Sequence, residues 1–320
     1  MSTTYMVTGS AGFIGSALSR RLLSEGHRVV GVDAFTDSYS PTEKLDRALE
    51  LCRHSGYSQL VGDLTELRLA EHLEEVEAVF HMAGRPGVRP SFALTDLYVH
   101  DNVDATRALL QAASSAPSVR RLVYASSSSV YGNAPLPLRE SAGTAPVSPY
   151  GQTKLDAELL CLGAAGPRLE TVALRYFTVY GPGQRPDMAF RRFCEAAVRG
   201  ETIHVYGDGS QSRDFTFVDD IVEATLRALE SPVDGLPINV GGGSRVTLVE
   251  TLDILAELAS CSLSVVKEGE ARGDVRHTAA DLSRAQELLH FAPRIPVRQG
   301  LEAELSWVRG RVAASAGRVA

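Results

Sequence analysis

Apolar and polar positions along the chain alternate between two periods. A short strand-like run, Thr4-Tyr5-Met6-Val7, leads into a glycine turn. Phe13, Ile14, Ala17, Leu18, Leu22 and Leu23 then recur at helical spacing until a break at Gly26. A second run, Arg28 to Val32, ends on Asp33. Short apolar runs bounded by turn residues predict strands covered on both faces. The alternation continues with a strand near Gln59-Leu60-Val61 ending on Gly62-Asp63-Leu64, and with Ala78-Val79-Phe80-His81 entering a Gly/Pro-rich loop, Met82 to Pro90. A long helical stretch is expected from about Ser91 to Ser115, carrying Asn102, before a strand from Arg121 to Ala125 and a serine run, Ser126 to Ser129. After a proline-punctuated loop a helix begins near Pro149, whose missing N–H costs nothing in a first turn. Strand-helix alternation of this kind predicts an α/β fold with a doubly wound parallel (Rossmann) sheet.

Beyond a strand at Thr171 to Arg175 the pattern changes. Tyr176 to Asp214 is rich in Gly, Pro, Arg and aromatics, with one helix expected near Met188 to Arg199. A helix from Val218 to Leu229 and a strand at Ile238-Asn239-Val240 return to the sheet. Gly241 to Ala320 reads as the helices and short strands of a smaller lobe, with Val312 to Ala320 a frayed tail. The expected division is residues 1–175 plus about 216–240 as a dinucleotide-binding domain. About 176–215 plus 241–320 form a smaller mixed α/β C-terminal lobe for substrate.

Composition narrows the function. Among 320 residues, 44% hydrophobic and 22% charged are ordinary values for a globular protein. A net charge of −7 with no basic run excludes a nucleic-acid footprint. The four cysteines form no CxxC, so neither a disulfide framework nor a metal site is expected. No apolar run approaches the roughly 18 residues of a membrane span, and no signal peptide precedes the first strand. A cytoplasmic protein with no membrane partner is the expectation. If its ligand is acidic, arginines must gather at the site.

The first candidate chemistry lies in the glycine turn. Gly9, Gly12 and Gly15 are followed by Asp33 at the end of the second strand, the layout of a dinucleotide-binding βαβ unit. Gly9 permits the tight turn, Gly12 lets a pyrophosphate approach, and Gly15 lets the helix pack on the strand. Phe13 and Ile14 open the helix whose N-terminus faces the phosphates. The Asp33 carboxylate accepts from the adenosine ribose and repels a 2′-phosphate. No Arg or Lys lies between Asp33 and Pro41, which favours NAD over NADP. Asp63 and Leu64 are a second contact at the adenine edge.

The second candidate is Tyr150-Gly151-Gln152-Thr153-Lys154. On a helix, Tyr150 and Lys154 share a face at i and i+4. An ammonium about 4 Å away is worth roughly 4 kcal/mol at an effective dielectric of about 20. That lowers a phenol by up to about three pKa units, enough for a general base near neutrality. Ser127 lies 23 residues upstream at the end of a predicted strand, where a doubly wound sheet carries its site.

With these residues in place the chain resembles the extended short-chain dehydrogenase/reductases, the NAD-dependent nucleotide-sugar epimerase/dehydratase family, over nearly its whole length. The likeness rests on Thr8 to Gly15, His81-Met82-Ala83-Gly84, Ser127 to Gly132, Tyr150 to Lys154, Arg175-Tyr176-Phe177 and Arg213 to Asp220. It implies Tyr150 as base, Lys154 as the group that lowers its pKa and holds the nicotinamide ribose, and Ser127 sharing the substrate hydroxyl. It also implies NAD as cofactor, a UDP-sugar substrate, and a homodimer paired through the helices that hold Asn102 and Tyr150.

Within the family, dehydratases carry Asp-Glu, and decarboxylases a Glu, where this chain has Ser128 and Ser129. That points to epimerisation, which needs only reversible oxidation. The pattern is most similar to the UDP-glucuronate 4-epimerases, through Gly87-Val88-Arg89, Phe177 to Pro182 and Arg185 to Ala189. This places Arg185 near a sugar carboxylate, which it can bind bidentately, with Thr178, Ser128 and Ser129 as neighbours. Alternatively Arg185 is a loop arginine paired with Asp187. Gly273 to Asp281 looks more like the UDP-hexose and UDP-N-acetylhexosamine 4-epimerases, and makes Arg276 and Arg213 diphosphate ligands, with Arg89 a further candidate. The alternatives in order are a UDP-hexose or UDP-N-acetylhexosamine 4-epimerase, a UDP-glucuronate decarboxylase, and a non-catalytic NAD(H)-binding regulator.

Overall fold

Alternating side chains along the strands build one sheet with two apolar faces. The computed structural model describes residues 2–269 and 275–316. Strands β1 (Thr4–Thr8), β2 (Arg28–Asp33), β3 (Tyr57–Val61), β4 (Val76–His81), β5 (Arg121–Ser127) and β6 (Glu170–Tyr176) are joined by Leu236–Val240 in a seven-stranded sheet. Its order is β3-β2-β1-β4-β5-β6 with Leu236–Val240 last, and every pairing is parallel. On one face Tyr5, Val7, Phe80, Val123 and Leu174 enter one core. On the other, Met6, Val79, Leu122, Tyr124 and Ala173 enter a second. Strands covered on both faces read as continuous apolar runs for this reason. The strand order reverses between β1 and β4, and a crevice opens there beyond the carboxyl ends of the strands.

Helix α1 (Phe13–Ser24) follows the glycine turn, and α2 (Pro41–Leu51) lies between β2 and β3. The helix expected over 91–115 is broken into α3 (Val88–Ser91), α4 (Thr95–Tyr98), a wide π turn at Val99–Asp104, and α5 (Ala105–Ser115). The wide turn contains Asn102, and such turns recur at functional sites. Helix α6 (Pro149–Gly163) starts as expected: Pro149 is in the first turn and the Ser148 hydroxyl accepts from Gly151 N at 3.1 Å.

Helix Val218–Glu230 packs against α1, β5 and β6. Helix Ala189–Arg199 packs on helix Val297–Ala316, and small sheets pair Ile203–Tyr206 with Val265–Glu268 and Ser212–Asp214 with Arg245–Thr247. Arg191 on the former helix reaches back to Glu43 of α2 at 2.6 Å, joining these two helices. The expected tail is ordered as far as described, since the last helix runs to Ala316, while residues 317–320 lie outside the described residues. Gly273 and Asp274 also lie outside them. Among the described residues no helix is long and apolar enough to cross a membrane.

Candidate active site

The glycine turn leaves no room for side chains. Gly9 has φ +66°, and a Cβ on Gly15 would sit 2.1 Å from the Gly9 carbonyl oxygen. With Gly12 as N-cap, helix α1 has no side-chain cap. Its first-turn amides therefore face the crevice, the arrangement that binds phosphate. Asp33, at the tip of β2, accepts from Phe35 N at 2.8 Å and Ala11 N at 3.1 Å. Burial pushes its carboxyl up, against these amides and the nearby Lys44. Lys44 and Arg47 are cations that the stretch before Pro41 did not reveal. Lys44 directs Nζ to the Thr36 carbonyl (2.7 Å), the Thr36 hydroxyl (3.2 Å) and the Ser38 hydroxyl (3.2 Å). Its three donors are thus occupied by neutral oxygens of the chain, while its charge remains beside Asp33. A turn with no space for Cβ atoms, uncapped amides and an acid at the strand tip fit NAD. Asp63 accepts from Thr65 N at 2.8 Å and lies beside Leu64 in the same wall.

Ser127, Tyr150 and Lys154 come together at the ends of β5 and α6, lining one continuous cleft of about 770 Å³ with the glycine turn. Ser127 ends β5, and its hydroxyl accepts from Ser129 N at 3.1 Å, which turns the chain into a short 3₁₀ helix at Ser128–Tyr131. Lys154 is buried, donates to the Ala125 carbonyl, and lies 4.3 Å from the centre of the Tyr124 ring. Burial lowers its pKa to about 8, opposed by Cys161 and Glu158. Tyr150 differs from expectation. Burial pushes its phenol up, opposed by a hydrogen bond with Ser127 and by the charge of the Arg185 guanidinium. Lys154 is not among the groups that pull it back; its ammonium donates to the Ala125 carbonyl at the end of β5.

Asn102 does not line the cleft but braces two segments that do. Its Oδ1 accepts from Arg85 N at 2.6 Å and its Nδ2 donates to the Thr153 hydroxyl at 2.9 Å, tying the wide turn to the catalytic helix. His81, at the tip of β4, is held between the hydroxyls of Thr8 (2.7 Å) and Thr106 (2.8 Å), and burial keeps it neutral with a pKa near 3.

The other end of the cleft is lined by residues from both before and after β6. Thr178, Arg185 and Arg213 line it together with Ser128, Ser129 and Arg89. The Arg89 guanidinium stacks on Tyr206 at 4.0 Å from the ring centre. Arg185 forms a two-bond pair with Asp187, at 3.0 Å from Nε and 2.9 Å from Nη2. Arg276 is not among the lining residues; it is exposed and reaches Ser210 (3.2 Å) and Asp208 (3.4 Å) at the rim, while Val275 and Thr278 line the wall. Arg192 lines the cleft too and carried no motif in the sequence.

The family model described as NAD dependent epimerase/dehydratase family matches residues 5–241. The UDP-glucuronate 4-epimerase of Thermodesulfobacterium geofontis is 36% identical over 314 residues, covering 96% of this chain and 97% of that protein. The UDP-glucuronic acid 4-epimerase of Bacillus cereus, solved with UDP-glucuronic acid and NAD, superposes with a TM-score of 0.92 at 35% identity, covering 97% of this chain and 100% of that one. MoeE5 has been solved with UDP-glucuronic acid and NAD, and also with UDP-glucose and NAD. The latter is 41% identical with a TM-score of 0.87, covering 97% and 99% of the two chains. The match to the family extends over most of the chain, and by it this protein belongs to the NAD-dependent epimerase/dehydratase family.

Proposed function

We propose that the protein is a UDP-sugar 4-epimerase whose substrate is UDP-glucuronate, converted to UDP-galacturonate. The observation that carries this reading is the pairing of two features in one cleft. Ser127, Tyr150 and Lys154 line it, with Ser127 hydrogen-bonded to Tyr150, and the same cleft offers Arg185, Thr178, Ser128 and Ser129 with no acid at positions 128 and 129. NAD, which this family uses, takes the hydride from C4 and returns it. Tyr150, as phenolate, removes the O4 proton while Ser127 holds the same oxygen, and it restores that proton after the 4-keto sugar has turned about its diphosphate. Lys154 holds positive charge beneath the phenol. Arg213 and Arg89 face the diphosphate, with Arg276 reaching it from the rim. No second substrate is consumed, since the redox change closes within each turnover.

Incubation of the pure protein with UDP-glucuronate, with C4 configuration followed by NMR, tests the reading. Formation of the galacturonate epimer is expected; conversion of UDP-glucose alone would sink the carboxylate assignment. UDP-xylose or a 4-keto pentose would instead mark a decarboxylase, which the serine at position 129 argues against. Tyr150→Phe abolishes turnover in an enzyme and leaves an NAD(H)-binding regulator unaffected.

The second reading, a neutral UDP-hexose substrate, is favoured by one observation: Arg185 already has a carboxylate partner in Asp187. A homodimer is part of the proposal. Leu94, Leu97 and Val99 around α4 and Leu159 on α6 are 39–57% exposed, an apolar face that a second copy would cover. Sedimentation at the 34.3 kDa monomer mass would count against it.

A further inference from the structure

Arg185 and Asp187 are two residues apart on the loop that crosses the sugar end of the cleft, and both line it. Their burial is unequal. The Arg185 side chain is 18% exposed, whereas that of Asp187 is 51% exposed. Their contact is the planar two-bond fork that an arginine makes with any carboxylate. A sugar carboxylate arriving at this guanidinium would therefore meet a site already filled by the same chemical group. Exchange is possible because the displaced partner is the half-exposed one: Asp187 can return to water at small cost, while Arg185 keeps a carboxylate throughout. A neutral sugar leaves the pair intact. It then meets no enclosed, unpartnered guanidinium, which would be a heavy penalty.

We propose that Asp187 is a specificity-determining residue that stands in for the sugar carboxylate on Arg185. It lets one cleft accept both uronate and neutral UDP-sugars, at the cost of weaker discrimination for the uronate. This deepens the epimerase reading above and rests on it. Asp187 acts through Arg185 and touches none of the reacting atoms.

The test compares kcat/KM for UDP-glucuronate and for UDP-glucose, read by NMR on the NAD-loaded enzyme. The forms are the parent, Asp187→Asn, Arg185→Met and the double variant. Asp187→Asn removes the competing charge with little change in shape at an exposed position. It is expected to raise the uronate-to-hexose ratio about tenfold, equal to about 1.4 kcal/mol, mainly through a lower KM for the uronate. In the Arg185→Met background the same substitution should change the ratio less than twofold, because the group it competes for is gone. A flat ratio for Asp187→Asn in an enzyme that turns over UDP-glucuronate overturns this inference and leaves the epimerase reading standing. An equal rise in the Arg185→Met background does the same, since a structural effect of Asp187 would persist there. Should the parent and Asp187→Asn both turn over only UDP-glucose, the uronate assignment falls and this inference with it. Turnover of neither sugar overturns both.

Discussion

Glu158 and Arg175 are locked together beneath helix α6. Nε of Arg175 donates to Glu158 Oε2 at 3.0 Å and Nη2 to Oε1 at 2.5 Å, with both side chains at most 5% exposed. Glu158 is one helical turn beyond Lys154 and also accepts from the Ser126 hydroxyl at 2.5 Å. The pair thus joins α6 to β5 and β6 close behind Ser127 and Lys154. The Arg175 guanidinium also lies 4.7 Å from the Tyr131 ring centre, and Tyr131 donates to Asn239 Oδ1 at 2.7 Å.

Removing one partner strands the other charge in the interior. Glu158→Ala is expected to cost about 3–5 kcal/mol, the range for breaking a buried pair. The urea midpoint measures this, and a loss below about 1 kcal/mol would show that water reaches Arg175 more easily than its burial indicates.

Lys154 has a folded pKa of about 8, below its ordinary value of 10.5. Below pH 8 both folded and unfolded chains hold the proton, and the full cost of the buried charge is present. Between about pH 8 and 10.5 the unfolded chain binds more protons, so this group makes stability rise with pH. The Lys154→Met variant should lack that rise in denaturation midpoints taken across the window. Turnover should show an alkaline limb near pH 8 as the ammonium is lost; a flat profile to pH 10 would contradict the assignment.

Glu304 in the helix Val297–Ala316 shows the opposite sign. It is fully buried and accepts from Gly181 N at 3.0 Å on the loop leading to Arg185. Burial raises its pKa to about 8 from 4.5, against that amide and the charge of Arg191. The folded state binds more protons between those values, so stability from this group is full below about pH 4.5 and declines as pH rises to 8. Glu304→Gln should flatten the decline; an unchanged slope of urea midpoint against pH would refute it.

Gly15→Ala tests the cofactor cradle. With a Cβ 2.1 Å from the Gly9 carbonyl oxygen, the turn or the helix must shift. The purified variant is expected to hold little NAD, by extraction and absorbance, while keeping the far-UV signature of the fold. Full NAD occupancy would show that the turn tolerates the shift.

Much of this was legible because it is local. The glycine turn, Asp33 at a strand tip and Pro149 opening a helix are fixed by neighbours in sequence, and short apolar runs identify strands buried on both faces. The break in the helix expected over 91–115 was not legible. The wide turn at Asn102 is held by Arg85 and Thr153, and the latter is 51 residues away. Lys44 escaped notice beside Asp33 because α2 folds it back over Thr36. Glu158 and Glu304 look like ordinary helix acids until packing buries them. The motif made Arg276 a diphosphate ligand, and only the fold shows that it stands at the rim beside Asp208 and Ser210.

By itself, then, the sequence determined the alternating fold, the dinucleotide turn and the Ser127, Tyr150 and Lys154 set, since each is written in spacing along a short stretch. Only the tertiary structure decided the charges those residues work among. Burial raises Tyr150 and lowers Lys154, and loop geometry gives Arg185 to Asp187. Electrostatic energy depends on distance in space and on exclusion of water, and neither can be read from position along a chain.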